Sequence, residues 1–413
     1  MNKNIKLAVA GAVLALSATA ANAGIIIPAG DWTVDLSGNV NSYAIWSKSS
    51  GGTVVGGLSG ATNSTNGSQS TGLLPNFLSF AGSTRTNDLD VTWLISLNPG
   101  GYTPHAASGG SGSENRQAFM TFGDKSWGSV KIGKDLGIYA SDAILNDMTL
   151  LGVGAPGGAG GSAATTTTLG RIGSGFQYAD WKQQIAYTTP NFSGFQATVG
   201  ITQAWDATTS QLSTNSLNTF GVNTVTIVNA SQGTTGTGGA SPAYEGKASY
   251  SFAANDVTGK IWVSGFSQKV DGVASGQNNA WSADIGANLK VAGFDLTGYY
   301  YGGEGTGTTF MLADGYTTNG YKRDVNGGYV QAKYTLPTKT VAGISWGQSN
   351  LDKYSSETAT ALVKSTDMVT VGLYHPLTKH VNLVAEYSHV NSEAQTGVQA
   401  NTNVGSLGGI LFF

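Results

Sequence analysis

Trp281-Ser-Ala-Asp-Ile-Gly-Ala-Asn-Leu-Lys290 alternates along its whole length. Trp281, Ala283, Ile285, Ala287 and Leu289 form one set, and Ser282, Asp284, Gly286, Asn288 and Lys290 form the other. A period of two places the sets on opposite faces of a strand. The stretches Trp32 to Val40, Tyr244 to Phe252, Val330 to Leu336 and Val381 to Tyr387 alternate in the same way. A soluble sandwich would show this pattern too, so the connections between strands have to decide.

Strands are predicted near 31–46, 74–86, 88–98, 115–124, 128–134, 181–190, 194–203, 242–252, 258–268, 280–290, 293–302, 327–336, 340–349, 367–376, 380–390 and 405–413. Their joins alternate between short and long. Thr86-Asn87-Asp88, Pro190-Asn191, Ala292-Gly293 and Pro337-Thr338 are turn-sized, whereas 48–73, 204–241 and 303–326 are long and rich in Gly, Ser, Thr and Asn. Short turns on one side and long loops on the other are the pattern of a transmembrane antiparallel β-barrel, with the short turns periplasmic. A sandwich has no reason to keep that order. Sixteen strands, an even number, bring both chain ends to one side, so the first and last strands can pair and remove the sheet's edges.

Composition agrees. Charged residues make up 11% of the chain, against about 25% in soluble domains. After the N-terminus there is no run of 18 or more apolar residues to form a spanning helix. At the N-terminus, Lys3 and Lys6 precede the apolar stretch Leu7 to Ala20 and the small-residue site Ala21-Asn22-Ala23. This predicts an export signal over 1–23, removed to leave a barrel domain over 24–413. Losing two lysines takes the net charge from −3 to −5, which is unsuited to nucleic acid. With no cysteine, disulfides and thiolate chemistry are excluded. No cofactor is expected.

Asn115-Arg-Gln-Ala-Phe-Met-Thr-Phe-Gly123 followed by Trp127-Gly-Ser-Val-Lys-Ile-Gly-Lys134, and then Tyr187-Thr-Thr-Pro-Asn-Phe-Ser-Gly-Phe195, resemble the Gram-negative general porin family, especially its betaproteobacterial-type branch. These segments look like the strand pairs before and after that family's constriction loop. The resemblance implies a water-filled channel in the outer membrane of a Gram-negative bacterium, built as a homotrimer in contact with lipid. It would pass ions and small polar solutes. It also implies that the third long loop, about Asp135 to Asp180, folds into the lumen. The loop's length of 46 residues supports this independently, because long structureless loops are uncommon unless functional or disordered. Leu407, Gly409, Leu411 and Phe413 share one face, and Leu411 with the aromatic Phe413 is the expected C-terminal signal to the outer-membrane assembly machinery.

Carried over residue by residue, the resemblance puts Arg116 and Arg171 at the constriction, facing the loop acids Asp142 and Asp147. Lys131, Lys134 and Asp135 are further lumen candidates, as are Asp284, Lys333 and Glu386, and Lys134 is expected to pair with Asp135. Two departures unsettle ion preference. An acidic loop motif is replaced by Gly152-Val-Gly-Ala-Pro-Gly-Gly158, and Phe77 stands near the place of an inward arginine. Alternation also sets Arg116 with Ala118, Met120 and Phe122, which leaves it in the lumen or at the rim.

Other motifs carry less. Gly152-Val-Gly-Ala-Pro-Gly157 fits a dinucleotide fingerprint only in letters, since no strand and helix flank it. His375 and His380 flank a turn, and two ligands do not make a zinc site. No nucleophile motif is visible, so an enzyme is not expected. A substrate-specific channel would need a lumen track of aromatics, for which Tyr299, Tyr301 and Tyr329 are candidates. A structural or adhesive barrel would have a plugged lumen.

Overall fold

Two-residue turns set the first hairpins. Asn87 and Asp88 both take positive φ (47° and 61°), as do Ala292 and Gly293 (49° and 83°). That pairing is the primed turn whose twist suits adjacent antiparallel strands. In the computed structural model, which describes residues 24–60, 63–99, 113–156, 167–205 and 241–413, such hairpins run around a closed sheet. Nineteen strand segments combine into sixteen barrel strands.

The strands are β1 (Trp32–Gly51), β2 (Ser64–Ser70 and Phe77–Thr86), β3 (Leu89–Pro99), β4 (Ser113–Glu114 and Ala118–Asp124), β5 (Gly128–Leu136), β6 (Trp181–Thr188), β7 (Phe195–Thr202) and β8 (Ala243–Ala254). They continue as β9 (Val257–Lys269), β10 (Asn279–Val291), β11 (Phe294–Glu304), β12 (Asp324–Thr335), β13 (Val341–Asp352), β14 (Val363–Pro376), β15 (Val381–Ala394) and β16 (Gln399–Phe412). Each pairs antiparallel with the next, and β16 returns to β1, from Ala400 opposite Gly51 to Phe412 opposite Asn39. Closure leaves no open edge, as lipid demands.

A short N-terminal segment, Ile25–Ala29, continues the column of β16. It pairs with the other end of β1, Ile25 opposite Leu36, while Phe413 exchanges backbone hydrogen bonds with Gly38. Alternation within Ile25–Ala29 is too short to read, so this segment has no signature in the sequence.

The outer face is apolar. Val199, Ile261, Ile285, Leu296, Val330, Ile344 and Leu373 are exposed, Ile285 at 54% and Val330 at 57%. In water this would be a liability, but against acyl chains it is the stable arrangement. Trp127, Tyr187, Phe192, Phe195, Phe294 and Tyr334 are exposed next to the short turns, with the rings of Phe294 and Tyr334 4.7 Å apart. They form an aromatic girdle at that end.

The interior is filled by chain, not only by wall side chains. Residues 137–156 enter the lumen and form α1 (Ser141–Asn146) and a 3₁₀ turn (Met148–Leu151), and residues 167–180 lead back to the wall. Residues 305–323 also fold inward, although the sequence reading left 303–326 as an external loop. Gln177 donates to Thr306 Oγ1 at 2.9 Å, and the Tyr178 amide donates to the Thr309 carbonyl at 3.0 Å. β2 breaks between its two segments so that Leu73 can donate to the Gly152 carbonyl at 2.9 Å. Here Gly72 is required: a Cβ would lie 2.1 Å from that carbonyl oxygen. The expected signal at 1–23 lies outside the described residues.

Candidate functional site

The inward loop is tied to the wall by polar groups from six strands. Glu245 on β8 accepts the Ile138 and Tyr139 amides at 2.7 and 2.8 Å. Tyr139 donates to Ser282 on β10 at 2.8 Å, and Gln331 on β12 accepts the Met148 amide at 2.6 Å. Ser349 on β13 accepts the Gly175 amide at 3.0 Å. Glu386 on β15 accepts the Val153 and Gly154 amides at 2.7 and 3.0 Å. Backbone amides satisfied this way let an irregular segment sit at membrane depth.

Arg171 is the strongest of these ties. It is fully buried, and its guanidinium donates to the Met368 carbonyl on β14 at 2.9 Å and to Ser345 on β13. Its Nε lies 3.7 Å from Asp147. Burial holds the Arg171 guanidinium below its ordinary range and pushes the Asp147 carboxyl above its own, each against the attraction of the other. Both lie inside the barrel, as expected for the loop, but they serve as a pin and not as charges bordering open water.

Asp142 behaves differently. It receives Lys247 at 3.2 Å and also Lys260. Burial alone would raise its carboxyl, but the two lysines outweigh that and hold it below the usual carboxylate range. One acid shared by two lysines leaves a surplus positive charge at the seam between loop and wall.

Open space remains between the loop and one side of the wall. A void of about 1270 Å³ runs between the loop and the wall β3–β8. The wall contributes Thr92, Phe119, Thr121, Lys131, Thr198 and Lys247. The loop contributes Ile144, Leu145 and Leu150. Lys131 is 29% exposed in its side chain and pairs with Asp135, which is only 1% exposed. Asp135 also accepts from Gln117 at 2.9 Å. Both residues line the void, but the lysine is the more exposed of the pair.

Several placements differ from the reading of the sequence. Lys134 does not pair with Asp135, because neighbours on a strand point to opposite faces. Lys134 stands opposite Ala118 and Gln183, in the outward row that continues as Met120, Ile132 and Ile185, although it too borders the void. Arg116 lies in the break of β4 and lines the void, bonded to Glu114 at 2.8 Å and 6.0 Å from the Trp181 ring centroid. It belongs to the rim of the short wall.

Asp284, Glu386, Tyr299, Tyr301 and Tyr329 do face inward, but the loop covers them. The three tyrosines therefore form no open track, and Tyr329 donates to the Ala143 carbonyl at 2.8 Å. Lys333 pairs with Asp295 at 3.0 Å. The sequence reading missed Phe119 and Lys247, although alternation put Lys247 in the polar set of its strand. It also missed Lys182, a buried lysine paired to Glu245. Among the described residues no group of three or more His, Asp or Glu could hold a metal ion.

The family model for Gram-negative porins matches residues 8–395. The chain belongs to the Gram-negative porin family. A search of curated proteins gives no match. Among solved structures, the porin resembles the outer-membrane channel DcaP of Acinetobacter baumannii, with TM-score 0.63, 15% identity, and coverage of 95% of this chain and 100% of that one. It resembles the anion-selective porin from Comamonas acidovorans, with TM-score 0.59, 14% identity, and coverage of 92% and 100%. It also resembles the in-vitro folded trimer form of OmpT of Vibrio cholerae, with TM-score 0.55, 10% identity, and coverage of 92% and 99%. At such identities the likeness shows the fold. The porin is an outer-membrane channel through which small solutes pass by passive diffusion.

Proposed function

We propose that this porin is an anion-preferring diffusion channel that works as a homotrimer. The observation that carries the preference is the arrangement of charge around the void. Lys131 and Lys247 line it with side chains 29% and 27% exposed, while their partners Asp135 and Asp142 are only 1% and 6% exposed. A solute in the void meets the lysines first, and lumen charge of one sign sets ion preference. The fold likeness to a porin described as anion-selective agrees with this reading. The trimer rests on the family and on a structural relative in trimer form.

Nothing in this mechanism makes or breaks a bond. Solutes move down their gradients through the space beside the loop. Removal of residues 1–23 on export, contact with lipid, and capture of Leu411 and Phe413 by the outer-membrane assembly machinery complete the proposal. The test is the reversal potential of the purified trimer in a planar bilayer under a KCl gradient. A potential of the sign set by chloride supports the reading, and one set by potassium overturns it.

A further inference from the structure

Apolar side chains make up much of the loop side of the void, beside the acids Asp135 and Asp180. Ile144, Leu145, Leu150, Leu169 and Ile172 border the void. Ile144, Leu150, Leu169 and Ile172 are buried in the packing of the loop, but Leu145 is only half-buried. On the wall, Phe119 is half-buried as well. Apolar surface left in contact with lumen water carries a hydration cost, and passage of small hydrophilic ions gains nothing from it.

Each of these two half-buried apolar groups lies beside a partly exposed cation. Lys131 Nζ is 4.8 Å from the centroid of the Phe119 ring. Lys247 Nζ is 3.0 Å from Ser141 Oγ, and Leu145 follows Ser141 by four residues, on the same face of α1. The narrow section therefore offers two lysines, each flanked by an apolar surface, inside one continuous void. Simple inorganic anions use only half of such a site. A solute with a carboxylate at one end and an apolar body at the other uses all of it.

We propose that the narrow section is a weak binding site for small organic carboxylates with an apolar body, aryl carboxylates foremost. The carboxylate ion-pairs with Lys131 or Lys247, and the ring lies against Phe119 and Leu145. The proposal rests on the anion preference above and adds the chemical class of the favoured solute. Weak binding suits a channel, because a bound solute must also leave.

The experiment is a titration of chloride current with benzoate, acetate and benzyl alcohol, on purified trimer in a planar bilayer. Benzoate is expected to reduce the current at a concentration about tenfold below that needed with acetate, the gain from covering roughly half a phenyl ring. Benzyl alcohol, with the ring but no charge, is expected to have no effect over the benzoate range. Phe119→Leu keeps an apolar side chain of similar bulk and is expected to lower the benzoate advantage severalfold. Lys131→Gln is expected to weaken benzoate and acetate alike. Equal block by benzoate and acetate overturns the proposal, as does an undiminished benzoate advantage in Phe119→Leu. The reversal potential taken on the same membranes separates the two readings. Anion preference without a benzoate advantage defeats only the site, whereas cation preference defeats the reading beneath it.

Discussion

Replacing Lys131 by Gln should move ion preference toward cations by a calculable amount. The side chain is partly exposed to the void and its partner Asp135 is not, so the change removes a charge that passing ions meet directly. At roughly 8 Å in bulk-like water, one unit charge contributes about 0.5 kcal/mol. A passing anion loses that stabilisation and a passing cation loses an equal repulsion, so their ratio shifts by about 1 kcal/mol, or about fivefold. Ionic screening, with a Debye length of about 10 Å at 0.1 M, reduces this to about twofold. The assay is the reversal potential in a planar bilayer at low salt, repeated near 1 M, where a Debye length of about 3 Å should shrink the difference. Glutamine still reaches Asp135 with its amide, so the barrel keeps its form, as circular dichroism should verify. An unchanged low-salt potential would mean that Lys131 does not face the conducting path, and the charge argument would fall.

Other consequences can be checked alongside. Arg171→Met removes the pin between the loop and strands β13 and β14; breaking a buried pair costs about 3–5 kcal/mol, so thermal stability should fall and open-channel noise rise. Adding Asp147→Leu should recover part of the loss, and unaltered melting in the single variant would contradict the pin. Acid should act through two loop carboxyls in opposite directions. Asp147, raised by burial, favours the folded state as it takes up a proton at mildly acid pH, whereas Asp142, held low by Lys247 and Lys260, loses its contribution only below the ordinary carboxylate range near pH 4. Melting temperature should therefore dip at the acid end, and Asp142→Asn should abolish the dip; a dip that survives in that variant would assign it elsewhere. Deleting Phe413 removes its backbone pairing with Gly38 and should lower the yield of assembled barrel in membranes, measured by heat-modifiable mobility on gels; a full yield would show that the last residue is dispensable.

Much of the barrel was legible because alternation is a local property. Trp281 to Lys290 announces its two faces without knowing its neighbours, and the order of short and long joins supplies the rest. Strand breaks were not legible. The interruption between Ser70 and Phe77 exists because Gly72 and Leu73 meet Gly152, some eighty positions away in the chain. The site was legible only in part, for a similar reason. That Lys131 lies inside follows from period two, but that Asp135 pairs with Lys131 and not with its neighbour Lys134 depends on which face each residue takes. Arg171 reads as a loop-end charge in sequence. Only the fold shows it reaching a backbone carbonyl of Met368 and the hydroxyl of Ser345, both remote in the chain. The inward turn of 305–323 had no signal at all, since glycine and threonine suit an outside loop equally well.

The N-terminal segment and β16 lie head to tail along one flank of β1, with Ile25 opposite Leu36 and Phe413 hydrogen-bonded to Gly38. The first described segment and the last strand thus share a single stave. A circularly permuted gene that fuses Phe413 to Gly24 and reopens the chain at the hairpin bend Pro337–Lys339 would keep every ladder of the cylinder, with its new ends on the same side of the membrane.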